Sequence, residues 1–510
     1  MAIINTDGYK VDHRRQYPKE TLTVVSNFTP RKSRIPGIDK VVSFGQQFYC
    51  MSTLIKLWND EFFNKPFEEV GHHYYRRIKN YTSNEIADQI GINHIKDLHE
   101  LGYLPLEIKA IDEGKQVPMR IPILTVRNTD DRFFWLTNYI ETDLSAELWM
   151  PATSATTAHA YKLKLNDWAE KTGGSKDFVW FQGHDFSYRG MAGRAAAQSS
   201  GAGHLLSFYG TDTIPAIDWL EKYYGADSDK ELVGCSVFAT EHAVMCVGTG
   251  FYIKRDNLDW EHYGEAEFSV FKRLITELYP TGIVSIVSDT WNLWKVLSEY
   301  LPALKNEIMA RDGKVVIRPD SGDPTDIICG RKWDDIQNSH SEYYQYTEKG
   351  VIECLWDIFG GTINSKGYKE LDSHIGAIYG DSINLQRTED ICQRLADKKF
   401  ASTNWVAGIG SYTYQYVTRD TFGFAMKATY AEVNLNGIRT GIDIFKDPIT
   451  DDGTKKSAKG LIMVEEDGDT FKMTDQVTWE QYNSGALKTI FLNGKMVNVT
   501  TLKEIRDRLN

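Results

Sequence analysis

Between residues 177 and 411 one pattern recurs seven times: a short apolar run, a cluster of Gly, Asp, Ser or His, then a segment of helical periodicity. The runs are DFVWFQGHDFSYRG (177–190), HLLSFYGTDT (204–213), SVFATEHA (236–243), GIVSIVSDT (282–290), KVVIRPDSGD (314–323), HIGAIYGDS (374–382) and WVAGIGS (405–411). Buried parallel strands read as near-continuous apolar runs, and the intervening segments are long enough for crossover helices. The pattern predicts an α/β fold over 151–411, a distorted or incomplete α/β barrel. Such barrels place their chemistry at the carboxyl ends of the strands. Here those ends carry Asp185, Arg189, Asp212, His242, Asp289, Arg318, Asp320, Asp381 and a Gly-rich turn. Polar groups at one end of every strand are hard to explain as packing.

The flanks have a different texture. TLTVVSNFTP reads as a strand, and LPLEIKAIDEGKQVPMRIPILTVRNTD as an antiparallel pair around a turn. VSFGQQFYCMSTLIKLWNDEFF carries a helical apolar stripe. After residue 411 strand-rich stretches return, in YTYQYVTRD, FAMKATYAEV and GDTFKMTD. A second, mostly β domain built from both chain ends, 1–150 plus 412–510, is therefore expected beside the barrel. A length of 510 residues suits two domains.

Charge narrows the function. A formal net charge of −12 argues against nucleic-acid binding, which needs a basic footprint. Small polyanionic substrates stay possible if a local basic cluster receives them. Six cysteines without a C-x-x-C pair read as reduced thiols of a cytoplasmic protein. No apolar run is long enough for a membrane span, and the first residues lack the apolar core of a signal peptide. Walker A, H-E-x-x-H and G-x-S-x-G are absent, and no G-x-G-x-x-G follows the first strand. His72 and His73 in GHHYYRR read as helix surface, with no metal role.

Three clusters suit phosphate groups. VVIRPDSGDP ends a strand with Arg318, Asp320, Ser321 and Gly322; Arg holds phosphate bidentately and Asp holds Mg²⁺ directly or through water. A capped turn with a solvated ion pair is the alternative. GIGSYTY offers backbone amides at Gly408, Gly410 and Ser411 for an anion nest. FKDPITDDGTKKSAKG gathers Lys446, Lys455, Lys456 and Lys459, as a phosphate site or a solvated loop. His242, ending the run SVFATEHA, reads alone as a satisfied structural histidine, a metal ligand or a chemical participant.

Ten segments occur in order: TDGYKVDHRRQYP, HDFSYRG, GTDT, TEHA, VSDTWN, IRPDSGDP, NSKGYK, GDSIN, TRD and FKDP. Together they resemble the nicotinamide phosphoribosyltransferases, a family of type II phosphoribosyltransferases, over nearly the whole chain. The resemblance implies a distorted α/β barrel, a mostly β second domain and a homodimer with two shared active sites. It implies transfer of phosphoribosyl from phosphoribosyl pyrophosphate to nicotinamide, giving nicotinamide mononucleotide and pyrophosphate in NAD salvage. Mg²⁺ is implied as cofactor, and ATP as a coupling substrate hydrolysed through a phosphohistidine.

Carried over by residue, Phe186 stacks on one face of the nicotinamide ring, and Tyr9 from the other subunit covers the second. Arg189 sits beside the ring and reaches toward pyrophosphate, Asp212 accepts the amide N–H, and Ser285 and Arg318 lie near the amide and the phosphates. Asp289 and Asp320 hold hydrated Mg²⁺ or orient neighbours. Gly380 and Asp381 face the ribose hydroxyls, while Gly410, Ser411 and Arg419 bind the 5′-phosphate. Asp7, Arg31, Lys427 and Lys446 come from the partner chain, the three basic residues toward pyrophosphate and ATP, with Lys455 less securely placed beside them. The family's phosphate turn usually carries a run of glycines, and AGIGSYTYQ has Ser411 in place of one.

Within this set His242 becomes the expected phosphoryl acceptor. Adjacent strand residues point to opposite faces, so Glu241 is a poor partner for it and Asp289 is the expected orienting carboxylate. Two rival readings remain at this stage: a nicotinate phosphoribosyltransferase, against which Asp212 argues, and a catalytically silent binding relative. A metal-dependent barrel hydrolase or aldolase would want a Lys or a His cluster at the strand ends, and none is present.

Overall fold

The computed structural model describes every residue except 332–341, 447–448 and 451–457. Two units emerge: Met1–Thr156 with Asp218–Glu231 and Val417–Asn510, and Thr157–Ile217 with Leu232–Tyr416. Asp218–Glu231 belongs with the first unit, although by sequence it falls inside 151–411.

In the second unit each of the seven apolar runs contains one strand. They are β1 (Gly183–Asp185), β2 (Gly210–Thr211), β3 (Phe238–Ala239), β4 (Thr281–Val287), β5 (Asp312–Arg318), β6 (Ile375–Tyr379) and β7 (Trp405–Ile409). Their order in the sheet is β2-β1-β7-β6-β5-β4-β3, and every pairing is parallel. The outer strands β2 and β3 approach through a single parallel bridge between Gly210 and Cys235. The sheet is thus an open, curled barrel in chain order. The gap falls between the two shortest strands of the sheet, each only two residues long. Helices cross between strands, among them His242–Arg255 and Tyr263–Arg273 before β4 and Leu385–Asp397 before β7. Leu385–Asp397 is capped by Asn384, whose side chain accepts the Arg387 N–H, and it buries Ile391, Cys392 and Leu395.

Two stretches differ from their sequence reading. The Phe-Val-Trp-Phe of the first run lies in a helix, Lys176–Gln182, capped by Ser175. Four consecutive apolar residues carry no period, so the Ser cap was the stronger local signal. YTYQYVTRD is not a strand either: it forms the helical turn Ser411–Tyr414 and then the turn Arg419–Thr421, closed by a capping box of Thr418 and Thr421.

The first unit is organised by an antiparallel sheet of seven strands. Its order is Ile438–Asp443, Ala425–Leu435, Thr21–Thr29, Leu124–Asn128, Leu106–Ala110, Lys488–Leu492 and Lys495–Met496. Strands from the two chain ends meet where Thr21–Thr29 pairs with Ala425–Leu435. Beside this seam the buried rings of Phe28 and Phe424 stack at 5.3 Å. His72 and His73 lie in the helix Phe67–Tyr81.

The Glu113 carboxylate of this unit is buried, and among the described residues no ion pair is made with it. Glu113 accepts the Gln47 N–H at 2.8 Å, and burial pushes its pKa up to about 7. A carboxyl whose folded pKa exceeds its unfolded value binds its proton more tightly when folded. The folded state is therefore favoured below about pH 4.5 and loses that advantage as pH rises to about 7. Glu113→Gln should remove about 2–3 kcal/mol of pH dependence over this window. Denaturant unfolding at pH 5 and pH 8 measures it; equal pH slopes for the two proteins would refute the assignment.

Candidate active site

The strand ends of the second unit converge on His242. β3 stops at Ala239, and Glu241 becomes the N-cap residue of the helix His242–Arg255. His242 is the first residue of that helix, half-exposed at 47%. Its Nε2 lies 3.2 Å from Oδ1 of Asp320, and its Nδ1 lies 3.2 Å from Oγ1 of Thr290. Asp320, not Asp289, is the carboxylate that touches the ring. Asp289 Oδ1 is 4.0 Å away because that side chain is committed elsewhere. Its Oδ2 accepts the N–H groups of Asp320 and Ser321, each at 2.9 Å, and the Ser321 hydroxyl at 2.5 Å. Asp289 thereby shapes the turn that presents Asp320.

The other Asp289 oxygen, Oδ1, is buried and takes no hydrogen bond. Ligand atoms of His242, Asp289 and Asp320 lie within 4.8 Å of one another. A buried, unsatisfied carboxylate oxygen beside a second carboxylate suits a hard divalent cation such as Mg²⁺. The acidic field reaches Tyr379, whose hydroxyl donates to the Gly322 carbonyl at 2.8 Å. Burial first, then Asp381, Asp289 and Asp320, raise its pKa. Opposing these acids, Arg318 at the end of β5 donates to the Thr240 carbonyl. Burial pulls its pKa down, while Asp320, Asp212 and Asp289 pull it back up; the charge of Arg189 pushes it down further.

Beside this pole opens a cavity of about 560 Å³, running along the inner face of the sheet. Phe186, Asp212, Ser236, Ser285 and Arg318 are among the residues that line it. Phe186 enters because β7 carries Gly408: a Cβ there would meet the Phe186 ring at 2.8 Å and the Tyr379 carbonyl oxygen at 2.5 Å. Ser285 is buried on β4 with an unpartnered hydroxyl. Asp212 Oδ1 accepts from His184 Nε2 and Ser236 Oγ, both at 2.8 Å. Burial pushes the Asp212 pKa up, but the bond and charge of His184, the Ser236 hydroxyl and Arg318 outweigh it and leave it below the usual value. Asp212 is therefore an ionised carboxylate at neutral pH.

Gly380 and Asp381 follow β6, with Ser382 held at a positive φ of 50° just beyond. Gly410 and Ser411 follow β7, and Ser411 packs so tightly on Gly190 that a Cβ at 190 would lie 2.0 Å from its Oγ. The helical turn after them is pinned by Tyr414, whose hydroxyl sits 2.6 Å from Nδ1 of the buried His204.

The remaining predicted residues lie in the first unit. Tyr9 is exposed, and Asp7 accepts the Thr142 hydroxyl at 2.7 Å. Arg31 donates through Nε to the Gly423 carbonyl at 3.0 Å. Lys427 lies with Arg31, Lys446 and Arg419 in one basic cluster: burial lowers its pKa, Glu141 raises it, and the three cations lower it again. Lys455 falls outside the described residues. Sequence reasoning missed His184, Ser236 and Thr290. The signal for His184 was available, since it stands two residues before Phe186 and alternate residues of an extended chain point to one side.

The Nicotinate phosphoribosyltransferase (NAPRTase) family model matches residues 181–495, and the Nicotinamide phosphoribosyltransferase N-terminal domain matches residues 1–108. The chain belongs to the nicotinate phosphoribosyltransferase family. Membership makes it a type II phosphoribosyltransferase of NAD biosynthesis, and the reading as a catalytically silent relative falls. It is 52% identical to the nicotinamide phosphoribosyltransferase of Acinetobacter baylyi, over 99% of this chain and 96% of that one. A second enzyme of that name, from Mycoplasma pneumoniae, is 33% identical over 90% of this chain and 94% of its own. Among solved structures, nicotinate-nucleotide pyrophosphorylase from Pyrococcus furiosus shares the fold at a TM-score of 0.54. The identity there is 13%, over 100% of this chain and 94% of that one. Among the described residues no helix is long and apolar enough to cross a membrane.

Proposed function

We propose that this protein transfers phosphoribosyl from phosphoribosyl pyrophosphate to nicotinamide, and that ATP drives the reaction through a phosphohistidine at His242. The observation that carries the choice of base is the ionised Asp212 in the cavity with Phe186 and Ser285. A carboxylate accepts the amide N–H of nicotinamide and repels the carboxylate of nicotinate. Phe186 stacks on the ring and fixes its approach. Ser285 donates its unpartnered hydroxyl to the amide oxygen.

As the pyridine nitrogen forms its bond to C1 of the ribose, the C1–O bond breaks and the electron pair leaves with pyrophosphate. Pyridine nitrogen carries no proton, so no general base is needed. Arg318 and Arg189 stabilise the leaving charge. Gly380 and Asp381 bind the ribose hydroxyls, and the amides of Gly410 and Ser411 take the 5′-phosphate. Asp289 and Asp320 would hold Mg²⁺, directly or through water, and the ion would supply positive charge to the phosphates. In the coupling step Asp320 accepts the Nε2–H of His242, which leaves the lone pair on Nδ1. Nδ1 attacks the γ-phosphorus, the P–O bond to ADP breaks, and the phosphoimidazolium keeps its proton against Asp320.

The proposal includes a homodimer, with Tyr9, Asp7, Arg31, Lys427 and Lys446 of the partner subunit completing each site. An exposed apolar stripe on the helix after β3, at Val244, Val247 and Phe251, suits a second copy. Product analysis with phosphoribosyl pyrophosphate and each base, with and without ATP, tests the reading. Nicotinamide mononucleotide should form in preference to the nicotinate product, with ATP raising the yield. Preference for nicotinate would overturn the choice of base, and a one-chain mass in sedimentation under assay conditions would overturn the shared site.

A further inference from the structure

The cavity wall holds an arrangement that no part of the proposed chemistry has used. Both donors to Asp212, His184 and Ser236, fall on the same oxygen, Oδ1. They arrive from separate segments: His184 lies in β1, and Ser236 lies just ahead of β3. His184 itself is buried and tightly set. Its ring lies 4.6 Å from that of Phe186, and Gly210 of β2 leaves it room, since a Cβ there would be 2.8 Å from Nδ1.

We infer that His184 and Ser236 form a donor clamp that fixes Asp212 as an acceptor and thereby sets which pyridine base the cavity takes. The inference rests on the reading that the cavity holds the base. Two donors on Oδ1 fix the rotation of the carboxylate about its Cβ–Cγ bond. Oδ2 is left with its lone pairs for an incoming donor, and a carboxamide N–H satisfies it. The clamp also counters burial, which alone would favour the protonated acid. Both effects act on selectivity. An unclamped Asp212 can turn away or take a proton, and a protonated carboxyl donates to a carboxylate instead of repelling it. His184 and Ser236 are positioning residues: they act through Asp212.

The test compares wild type, His184→Ala, His184→Gln and Ser236→Ala, assayed with nicotinamide and with nicotinate at saturating phosphoribosyl pyrophosphate and ATP. His184→Ala should raise KM for nicotinamide and shift kcat/KM toward nicotinate by about tenfold, the loss of one charge-assisted hydrogen bond. KM for phosphoribosyl pyrophosphate should stay unchanged. His184→Gln, which keeps an N–H donor near the Nε2 position, should recover most of the preference. Ser236→Ala should give a smaller shift, about threefold, in the same direction. An unchanged base ratio in both Ala variants overturns the clamp, as does a Gln variant no better than Ala. Should His184→Ala fail to fold, the ratio in Ser236→Ala decides, because Ser236 is exposed and its hydroxyl is the only group removed. The underlying reading fails separately, through a wild type that turns over neither base.

Discussion

Replacing His242 with alanine should abolish the acid-labile phosphate that labelled ATP leaves on the wild-type protein, and nicotinamide mononucleotide yield should no longer respond to ATP. The expectation follows from how the imidazole is held. Asp320 accepts from Nε2 at 3.2 Å, so the lone pair is on Nδ1, where it accepts the Thr290 hydroxyl at 3.2 Å until ATP displaces that donor. His242 also begins a helix, where backbone N–H groups favour an arriving phosphate. Half-exposure lets ATP reach the ring. Base-to-ribose transfer shares Asp320 with the coupling step but makes no use of the imidazole itself, so a residual, ATP-independent reaction should survive in the variant. Label that persists in His242→Ala would move the phosphoryl acceptor to another residue and end this assignment.

How much of this was legible beforehand depends on whether the deciding geometry was local. The apolar runs announced the barrel because a strand buried on both faces must be apolar throughout, and that requirement leaves a trace in consecutive residues. It did not distinguish Phe-Val-Trp-Phe in Lys176–Gln182 from a strand, because four apolar residues suit a buried strand or a short helix equally. The polar residues at strand ends were readable for the same reason as the strands. Their pairing was not: whether Asp289 or Asp320 meets His242 depends on the turn at residues 319–321, which Asp289 itself organises through Oδ2. Likewise Ser411, in a turn where the family usually carries glycine, packs against Gly190, a neighbour more than two hundred residues away that no local pattern pairs with it. The cluster of Arg31, Arg419, Lys427 and Lys446 joins residues from opposite ends of the chain and leaves no local trace.

Asp212→Ser should invert or erase the preference for nicotinamide, and its size follows from charge and exposure. A nicotinate carboxylate in place of the amide would bring two negative charges to about 4 Å. That repulsion costs about 1 kcal/mol in bulk water and about 4 kcal/mol at an effective dielectric near 20. The Asp212 side chain is 45% exposed in the free protein, so the value lies between these limits. The corresponding discrimination runs from about fivefold to about a thousandfold, the higher end applying once the base has displaced water. Serine removes the charge and keeps a hydroxyl that donates to a carboxylate or accepts from an amide. Nicotinamide should then lose about tenfold to a hundredfold in kcat/KM, the value of a hydrogen bond to a charged acceptor. Nicotinate should gain in relative terms by at least fivefold. His184 decides how far that gain goes: with Asp212 gone, its Nε2–H faces the cavity without a partner and becomes a donor for the nicotinate carboxylate. Competition between the two bases in one vessel reads the ratio directly. A variant that keeps the wild-type ratio while losing rate would make Asp212 a support of the wall and not the selector of the base.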